Sequence, residues 1–346
     1  MPFKKPSGVI GGGRFGVTIA NLLASNTDVL LYVRRQEVAD AINKEHRLFG
    51  YEMAERIHAT THLAEVAEVC SIIFPVVPSK NFREMMRTLA PHLHPYHFLI
   101  HGTKGLDIVG IEEENIMKMN ISKENVFTMS SVIRQESVVR RIGCLGGPNL
   151  SKEIMEGQPA ATVLASEFEE VFRAGQALLS SERFFVFRSE DVLGTELAGA
   201  LKNLIAIGSG IAMGKGYGKN VQALLIARGL REMITLGKAI GATSRSFLGT
   251  AGIGDLVATA MSMDSRNFKL GYRIAQGDTL EQVLASSQEV AEGVRTLKIV
   301  QQIAKHYQIR IPIMQMIYSI VFEDLSIDKA IYFLMKYPYS QDVDFL

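Results

Sequence analysis

A short apolar run near the start of the chain ends in a cluster of glycines, GGGRFG at residues 11–16. Gly11, Gly13 and Gly16 have the spacing G-x-G-x-x-G, and they lie between the predicted strand GVI (residues 8–10) and the apolar helical segment VTIANLLA. In this context the first glycine permits a tight turn, the second lets backbone amides approach a pyrophosphate, and the third allows close helix packing. The pattern therefore predicts a dinucleotide-binding turn at a helix N-terminus. A glycine-rich turn that serves packing alone is the alternative.

Short β-branched runs alternate with helical patterns through the first half of the chain, which predicts a mostly parallel sheet. From about residue 190 the apolar spacing is helical and no strand is predicted. We therefore predict an α/β fold with an N-terminal Rossmann-like, doubly wound sheet over residues 1–189, followed by an all-α C-terminal domain over residues 190–346. The predicted strands are GVI (8–10), VLLYV (29–33), IIFPVV (72–77), HFLIH (97–101), NVFTM (125–129), ATVLAS (161–166) and RFFVFR (183–188).

The charge balance argues for small-molecule chemistry. The 346 residues include 37 basic and 36 acidic side chains, so the basic excess typical of nucleic-acid binders is absent. Two cysteines cannot build a disulfide framework, which favours a cytoplasmic location. We expect no membrane span, because the most apolar long stretch carries Lys202 and Asn203 in its middle.

The residues after the second predicted strand bear on the choice of cofactor. NAD sites place an acidic side chain there to bind the ribose hydroxyls, whereas this chain reads VLLYVRRQ, with Arg34 and Arg35. Two guanidinium groups would bind a 2′-phosphate, which favours NADP over NAD. A solvated pair of surface arginines is the alternative, so NAD stays open.

Lys202 is the most unusual residue in the sequence because it lies in an apolar helical segment rich in small residues, GTELAGALKNLIAIGSG. Desolvation disfavours an ammonium group and brings the pKa of tuned catalytic lysines to roughly 7 to 8. Such a lysine can donate and accept a proton during carbonyl reduction. The alternative is a lysine at a helix edge that extends its charge into solvent.

A second polar region follows in TAGIGDLVATAMSMDSRNFKLG. Asp255 is a single acid in an apolar setting, where it would orient a lysine ammonium. Ser265, Arg266 and Asn267 offer donors to a phosphate ester. The same DSRN sequence is equally consistent with a helix-capping turn.

Two further segments are candidates for the border of the ligand cleft. Lys104 follows the fourth predicted strand, at the carboxyl end of the sheet where open α/β sheets bind ligands. GGPNLSKE, which contains Gly147 and Asn149, is a Gly-Pro turn into a helix. His92 and His94 have no third ligand at metal spacing, so we expect no metal.

Taken in order, GGGRFG, GTKGLD, GGPNLSKE, GALKNLIAIGSG, AGIGDL, SRN and VAEG resemble the NAD(P)-dependent glycerol-3-phosphate dehydrogenases of the bacterial type. The resemblance covers nearly the whole chain, and GALKN together with AGIGD and SRN is its specific part. It implies reversible hydride transfer between NAD(P)H and C2 of dihydroxyacetone phosphate. The product, sn-glycerol 3-phosphate, is the backbone precursor of membrane phospholipids.

The resemblance also implies a role for individual residues. The general acid/base is Lys202. The implied substrate contacts are Lys104, Gly147, Asn149, Lys202, Asn203, Asp255, Thr259, Ser265, Arg266 and Asn267. When the glycine motif and the arginine pair are included, the expected cofactor contacts are Gly11, Gly13, Arg14, Phe15, Gly16, Arg34, Arg35, Lys104, Ser151, Arg266, Val290 and Glu292. Arg14 and Asn149 depart from the family pattern, which has a hydroxyl residue at each position.

Two other functions remain open at this point. A related two-domain reductase, of the ketopantoate or hydroxyacyl-CoA type, would share the Rossmann half but would not need a phosphate site at Arg266 and Asn267. A catalytically silent nucleotide-binding regulator would keep the glycine motif without needing Lys202 beside Asp255. The sequence does not determine the oligomeric state, and a homodimer stays open.

Overall fold

A computed structural model describes residues 5–111, 113–119, 121–122, 124–286 and 292–336. The strands are β1 (Ser7–Ile10), β2 (Val29–Tyr32), β3 (Arg47–Leu48), β4 (Tyr51–Glu52), β5 (Ile57–Thr60), β6 (Ile72–Pro75), β7 (Phe98–His101), β8 (Asp107–Ile108), β9 (Val126–Phe127), β10 (Arg141–Gly146), β11 (Ala160–Ala165) and β12 (Phe184–Ser189).

The helices of the first half and its connection to the second are α1 (Arg14–Ala24), α2 (Gln36–Glu45), α3 (Leu63–Val69), α4 (Ser79–Leu89), α5 (Met129–Glu136), α6 (Ser151–Met155), α7 (Glu169–Leu179) and α8 (Val192–Gly214). The later helices are α9 (Lys219–Ile240), α10 (Arg245–Leu248), α11 (Asp255–Ala260), α12 (Arg266–Ala275), α13 (Leu280–Ser286), α14 (Glu292–His306), α15 (Pro312–Phe322) and α16 (Ile327–Lys336). Short 3₁₀ turns cover Ala90–His92 and Glu113–Lys118, and a π-helical turn covers Thr250–Gly254.

The chain forms two compact units. The first comprises Met1–Asp107 and Thr128–Thr195, and the second comprises Ile108–Phe127 and Glu196–Leu346. The segment Ile108–Phe127 thus belongs to the second unit, whereas the sequence-based division at residue 190 leaves it in the first. A prediction that divides the chain at one point cannot assign an internal segment of the first part to the second unit.

The first unit is built on an eight-stranded sheet with the order β12-β11-β10-β7-β6-β1-β2-β5. All of its strand pairs are parallel except β10 with β11. The chain starts at β1, proceeds outward through β2 and β5, and then returns to β6 on the other side of β1. This reversal of strand order is the topological switch point at which doubly wound sheets bind ligands. The predicted Rossmann-like sheet is confirmed.

Apolar side chains from both the sheet and the helices fill the core of the first unit. Val9, Leu31 and Phe74 are fully buried sheet residues, and Ile19 and Leu23 bury one face of α1 against them. Helix α1 also packs against α6 and α7, while α4 packs against α3 and α5. The helices therefore fall into two layers around the sheet, as the alternating strand and helix pattern predicts.

Three details of the predicted sheet are wrong. NVFTM does not add a strand to the main sheet, because only Val126–Phe127 is extended and it pairs with β8 in a separate two-stranded sheet. The hydroxyl of Thr128 caps α5 by accepting from the amide of Ser131, so the chain turns helical where the strand was expected to continue. Strands β5 and β10 are additional members of the main sheet.

The described residues of 190–336 contain no strand, so this part of the second unit is helical, as predicted. Its longest helix, α8, has 23 residues and is long and apolar enough to cross a membrane by length and composition alone. However, 89% of its most apolar 18-residue window is buried inside the protein. Small residues let neighbouring helices approach closely, since a Cβ on Gly210 would overlap the carbonyl oxygen of Phe268 in α12. The burial is that of a core helix.

Candidate active site

The glycine motif forms the turn between β1 and α1. Gly11 has a φ of +127°, a backbone conformation that side chains other than glycine rarely adopt. A Cβ on Gly16 would overlap the carbonyl oxygen of Gly11, so the first turn of α1 packs directly on the loop. Two of the three glycines are thus required by backbone geometry and close packing, whether or not a ligand binds.

Gly13 is different, because a Cβ built on it meets no atom of the described residues within 4 Å. It is the N-cap of α1, and no side chain caps the helix there. The first amides of a helix have no intrahelical acceptor, and the helix dipole adds partial positive charge at that end. Open space in front of an uncapped helix N-terminus fits the pyrophosphate of a dinucleotide. The loop therefore fits the predicted cofactor.

Arg14 and Phe15, the two non-glycine residues of the motif, contact different parts of the first unit. The guanidinium carbon of Arg14 lies 5.2 Å from the ring centroid of Phe49, in the turn between β3 and β4. The ring of Phe15 lies so close to Gly102 that a Cβ there would be 2.8 Å from it. Phe15 thus packs the glycine loop against the residue that follows β7.

Arg34 and Arg35 follow β2, beside the carboxyl end of β1 with which it pairs. Both side chains are exposed, and neither forms an ion pair with any carboxylate in the described part of the chain. The next residues begin α2 at Gln36. The position where an NAD site would hold an acid therefore carries two cationic groups that are accessible to an anion.

Lys104 lies in the loop between β7 and β8. Its Nζ atom donates to the carbonyl oxygen of Gly147 at 2.8 Å. Two of the segments predicted to border the ligand cleft, GTKGLD and GGPNLSKE, are therefore in contact within the first unit. The second of them leads into a helix, as predicted, and that helix, α6, begins at Ser151.

The side chain of Asn149 is held by a residue that the sequence analysis missed. Asn149 Nδ2 donates to the hydroxyl of Thr162 at 2.9 Å, and that hydroxyl donates to the carbonyl oxygen of Gly146 at 2.9 Å. Thr162 lies on β11, and a hydroxyl side chain within an otherwise apolar, buried strand was the available signal. Asn149 Oδ1 is buried and has no hydrogen-bond partner among the described residues.

Lys202 lies in the middle of α8 and is buried, with 7% of its side chain exposed, against 2% for Asp255. Its Nζ atom donates to the carboxylate of Asp255 and, at 2.6 Å, to the hydroxyl of Thr259. Asp255 and Thr259 are separated by one turn of α11, so both point from the same face. The alternative of a lysine that extends into solvent is wrong.

The lysine cluster, defined as Lys202, Asp255 and Thr259, is supported by a second contact between the same helices. Ser209, two turns beyond Lys202 on α8, donates its hydroxyl to the carbonyl oxygen of Ala260 at 2.6 Å. A buried charge is costly unless it is paired and hydrogen-bonded, and here the ammonium has both kinds of partner. The arrangement holds a proton donor in a fixed position within an apolar helical core.

The SRN segment serves two purposes in the structure. Ser265 is the N-cap of α12, where its hydroxyl accepts from the amide of Phe268 at 3.3 Å, so the capping alternative describes this residue correctly. Asn267 Oδ1 accepts from the amide of Gly293 at 3.0 Å. Arg266, between them, is exposed in the first turn of α12.

The VAEG segment is only partly described. Glu292 and Gly293 begin α14, while Val290 lies outside the described residues. A Cβ on Gly293 would lie 2.6 Å from Asn267 Oδ1 and 3.2 Å from the carbonyl oxygen of Asn203. Asn203, Asn267 and the start of α14 are therefore in close contact within the second unit.

The structure thus gathers the predicted residues into two sets. The first unit holds the glycine motif, the arginine pair, and the contact of Lys104 with Gly147. The second unit holds the lysine cluster and the contact of Asn267 with the start of α14. The roles implied for these residues stay predictions, since geometry gives their positions and partners but not the ligands that they bind.

Comparisons with known proteins agree with this division. Residues 7–172 match the family model described as the N-terminus of NAD-dependent glycerol-3-phosphate dehydrogenase, and residues 191–332 match the model for its C-terminus. The chain is 38% identical over 342 residues to glycerol-3-phosphate dehydrogenase [NAD(P)+] of Saccharophagus degradans, covering 97% of this chain and 91% of the relative.

Solved structures give the same result. The crystal structure of glycerol-3-phosphate dehydrogenase from Coxiella burnetii matches with a TM-score of 0.85 and 28% identity, over 97% of this chain and 100% of that one. A ketopantoate reductase from Ralstonia eutropha matches with a TM-score of 0.54 and 13% identity, over 91% of this chain and 97% of that one, which shows a shared fold alone. Because the two family models together span both the glycine motif and the lysine cluster, the chain belongs to the family of NAD(P)-dependent glycerol-3-phosphate dehydrogenases.

Proposed function

We propose that this protein reduces dihydroxyacetone phosphate reversibly to sn-glycerol 3-phosphate, with NADPH as the preferred reductant. The observation that carries the proposal is the buried lysine cluster, which holds Lys202 between the Asp255 carboxylate and the Thr259 hydroxyl. A buried lysine with this environment is unusual in a helical core, and proton donation to a developing alkoxide gives it a chemical purpose.

In this mechanism Lys202 supplies the proton. The reduced nicotinamide, when bound, supplies the hydride that adds to C2 of the substrate. The C2 carbonyl double bond opens, and its oxygen takes a proton from Lys202 Nζ to form the alcohol. Asp255 and Thr259 hold Nζ in place, and the positive charge of the ammonium stabilises the negative charge that grows on the oxygen in the transition state. In the reverse direction the neutral lysine accepts that proton.

The substrate phosphate requires cationic and amide donors, which we assign to Arg266 and Asn267. Arg266 offers a planar fork that pairs with two phosphate oxygens. The side-chain oxygen of Asn267 accepts from Gly293, so its amide nitrogen remains as the donor toward a ligand. Lys104 is proposed to contact both substrate and cofactor.

The preference for NADPH is proposed from the arginine pair. The exposed guanidinium groups of Arg34 and Arg35 follow the strand that leads toward the adenosine ribose in Rossmann folds. Each guanidinium can donate charge-assisted hydrogen bonds to a 2′-phosphate. Neither can accept a hydrogen bond from a ribose hydroxyl, as the acidic residue of an NAD site does. This arrangement supports NADPH over NADH.

We place the reaction in the cytoplasm, where it would supply the glycerol backbone of phospholipids. The two cysteines, Cys70 and Cys144, are buried and free, which is consistent with a reducing compartment.

A homodimer is the assembly that we propose, and light scattering of the purified protein tests it.

The test is to monitor the absorbance of NADPH, and in parallel of NADH, with a panel of four substrates: dihydroxyacetone phosphate, unphosphorylated dihydroxyacetone, ketopantoate and acetoacetyl-CoA. We expect efficient reduction of dihydroxyacetone phosphate alone, with a higher kcat/KM for NADPH. Faster reduction of ketopantoate or acetoacetyl-CoA would favour the related reductases. Tight binding of NADPH without reduction of any substrate would favour a regulator.

A further inference from the structure

A largely buried ion network holds the end of the loop that carries Lys104. Arg83, on α4, donates through Nε to Asp107 Oδ2 at 2.7 Å, through Nη1 to the carboxylate of Glu136, and through Nη2 to Gln135 Oε1 at 2.8 Å. Only 13% of the Arg83 side chain and 7% of the Asp107 side chain are exposed. One guanidinium group thus joins α4 to the end of the Lys104 loop and to the last turn of α5.

Asp107 is the point at which the Lys104 loop ends and β8 begins. The start of the loop is held separately, because the amide of Gly102 donates to the carbonyl oxygen of Pro75 at 3.0 Å and the hydroxyl of Thr103 donates to that of Val77 at 2.6 Å. Backbone and hydroxyl groups therefore hold the start of the loop, whereas the ion pair between Arg83 and Asp107 holds its end.

We propose that Arg83 is a positioning residue for Lys104. By holding Asp107, it fixes the end of the loop and so keeps the Lys104 ammonium, which donates to the Gly147 carbonyl, where it meets the substrate. The inference rests on the proposed function, because the contact of Lys104 with substrate is itself proposed. Displacement of a binding group by about 1 Å can cost as much as roughly a hundredfold in rate, so a residue that contacts no ligand can still determine activity.

Arg87 provides a matched control from the same network. Its Nε atom donates to Glu136 Oε2 at 3.0 Å, and its side chain is 63% exposed. It shares Glu136 with Arg83 but does not contact Asp107. Arg87→Ala therefore perturbs the surface part of the network and leaves the hold on the Lys104 loop intact.

The test is a double-mutant cycle with Arg83→Lys, Lys104→Ala and the double variant, measured with dihydroxyacetone phosphate and NADPH. Lysine keeps the positive charge but cannot bond to Asp107 and Glu136 with a rigid fork. We expect Arg83→Lys to raise the KM for dihydroxyacetone phosphate about tenfold with little change in kcat. In the Lys104→Ala background the same substitution should change kcat/KM less than about twofold.

A purely structural role predicts a different pattern. Partial unfolding lowers the concentration of active enzyme, which reduces the apparent kcat and leaves KM unchanged, and its effect is additive with Lys104→Ala. That result would overturn the inference, as would Lys104→Ala having no effect of its own. Asp107→Asn in place of Arg83→Lys provides a second cycle if the arginine variant does not fold. Arg87→Ala should leave both the KM for dihydroxyacetone phosphate and the affinity for NADPH within about twofold of the parent values.

The two proposals fail separately. Additive effects in the cycle, in a parent enzyme that reduces dihydroxyacetone phosphate, overturn the positioning role alone. A parent that does not reduce dihydroxyacetone phosphate overturns the proposed function and, with it, the positioning role.

Discussion

The glycine loop of the first unit and the lysine cluster of the second prepare for a ligand in opposite ways. The loop provides space because it lacks side chains. A Cβ on Gly13 would meet no atom of the described residues within 4 Å, and the uncapped start of α1 faces that open space. The cluster works by adding polar atoms to an apolar core, where Lys202, Asp255 and Thr259 bond to one another.

This difference determines how each region fails. A loop made of backbone is damaged when a substitution adds an atom, while a buried charged cluster is damaged when a substitution removes a partner. The loop tolerates changes of charge that leave its backbone alone. The cluster tolerates paired changes that leave no buried charge without a counter-charge.

The largest effect is expected at the lysine cluster. Lys202→Met alone would leave the Asp255 carboxylate buried without its cation, so we pair it with Asp255→Asn to remove both charges. Compared with Asp255→Asn alone, the double variant should lose roughly 100- to 10,000-fold in kcat, because it lacks the proton donor. Steady-state assays with dihydroxyacetone phosphate measure the loss.

Thermal unfolding and titration with NADPH provide the controls for that experiment. The affinity for NADPH should stay near that of Asp255→Asn, since the change leaves the glycine loop intact. The double variant should unfold at an equal or higher temperature than Asp255→Asn, because it removes the ammonium that Asp255→Asn leaves buried without a counter-charge. Equal turnover in the two variants would contradict the assignment of Lys202 as the acid, and Lys104 would become the next candidate.

The second effect concerns the arginine pair. Changing Arg34 and Arg35 together to Ala removes charge-assisted hydrogen bonds worth about 1.5 to 3 kcal/mol each, which corresponds to roughly 10- to 150-fold in affinity per bond. The loss should fall on NADPH, because NADH lacks the 2′-phosphate. Fluorescence titration with each nucleotide measures both affinities, and equal weakening would contradict the assignment.

Sequence reasoning located the first unit well because its signals are local. Strand β1, the glycines and α1 are contiguous, and β-branched runs indicate most of the sheet. It missed β10, whose sequence RIGCLG has two glycines and no β-branched run, and β5, whose sequence IHAT is short and partly polar. Both strands are specified by their neighbours in the sheet, which periodicity does not report.

The second unit was less accessible to sequence reasoning. The unusual position of Lys202 in an apolar helix was visible, and Asp255 was expected to orient a lysine ammonium. Because the two residues are 53 positions apart, no local pattern identified Lys202 as that lysine. Thr259 is one turn after Asp255, so helical spacing could have indicated it. Nothing in the sequence indicated the buried role of Arg83, because an arginine on an amphipathic helix is usually solvated.

The third prediction uses a matched pair within the loop. Gly13→Val adds a side chain in open space at the N-cap of α1, so it should cost at most about 1 kcal/mol of stability but weaken NADPH binding more than about tenfold. Gly16→Ala adds one methyl group against the Gly11 carbonyl oxygen and should lower the unfolding temperature by several degrees. If Gly13→Val bound NADPH as tightly as the parent, the open space at Gly13 would not be the binding site of the cofactor.

The fourth prediction extends the comparison to another buried ionisable group of the second unit. Glu232 is 3% exposed, and its carboxylate accepts from the amides of Ile313 and Met314 at 2.8 and 3.0 Å, at the start of α15. Burial raises the pKa of Glu232 from 4.5 to about 8, although the two amide hydrogen bonds oppose the shift. The folded protein therefore holds a proton that the unfolded chain releases above its ordinary pKa.

Since the folded-state pKa is the higher one, this contribution to stability is fully present below about pH 4.5 and is lost as the pH rises to about 8. Over that range we expect the free energy of unfolding of the parent to fall by on the order of 1 kcal/mol or more relative to Glu232→Gln. Urea unfolding of both proteins at pH 5 and pH 8 measures the difference. Parallel pH profiles would show that Glu232 does not titrate in this window.

The smallest effect is expected at Arg14, the one cationic side chain inside the glycine loop. Its guanidinium carbon lies 5.2 Å from the Phe49 ring centroid, and the family pattern has a small hydroxyl residue at this position. An exposed ion pair is worth up to about 1 kcal/mol, so a contact of Arg14 with the cofactor phosphates should contribute a comparable amount to NADPH binding. Arg14→Ser should therefore weaken NADPH binding about two- to fivefold.

Salt dependence separates charge from packing in this last case. If Arg14 acts on the phosphates, the affinity of the parent for NADPH should fall more steeply with ionic strength than that of Arg14→Ser, because exposed charges are screened. Phe49→Leu removes the aromatic face but leaves the guanidinium, so it should lose affinity while keeping the steeper salt dependence. Identical salt profiles for all three proteins would mean that Arg14 only packs on the hairpin turn, and that the loop binds its ligand through backbone amides alone.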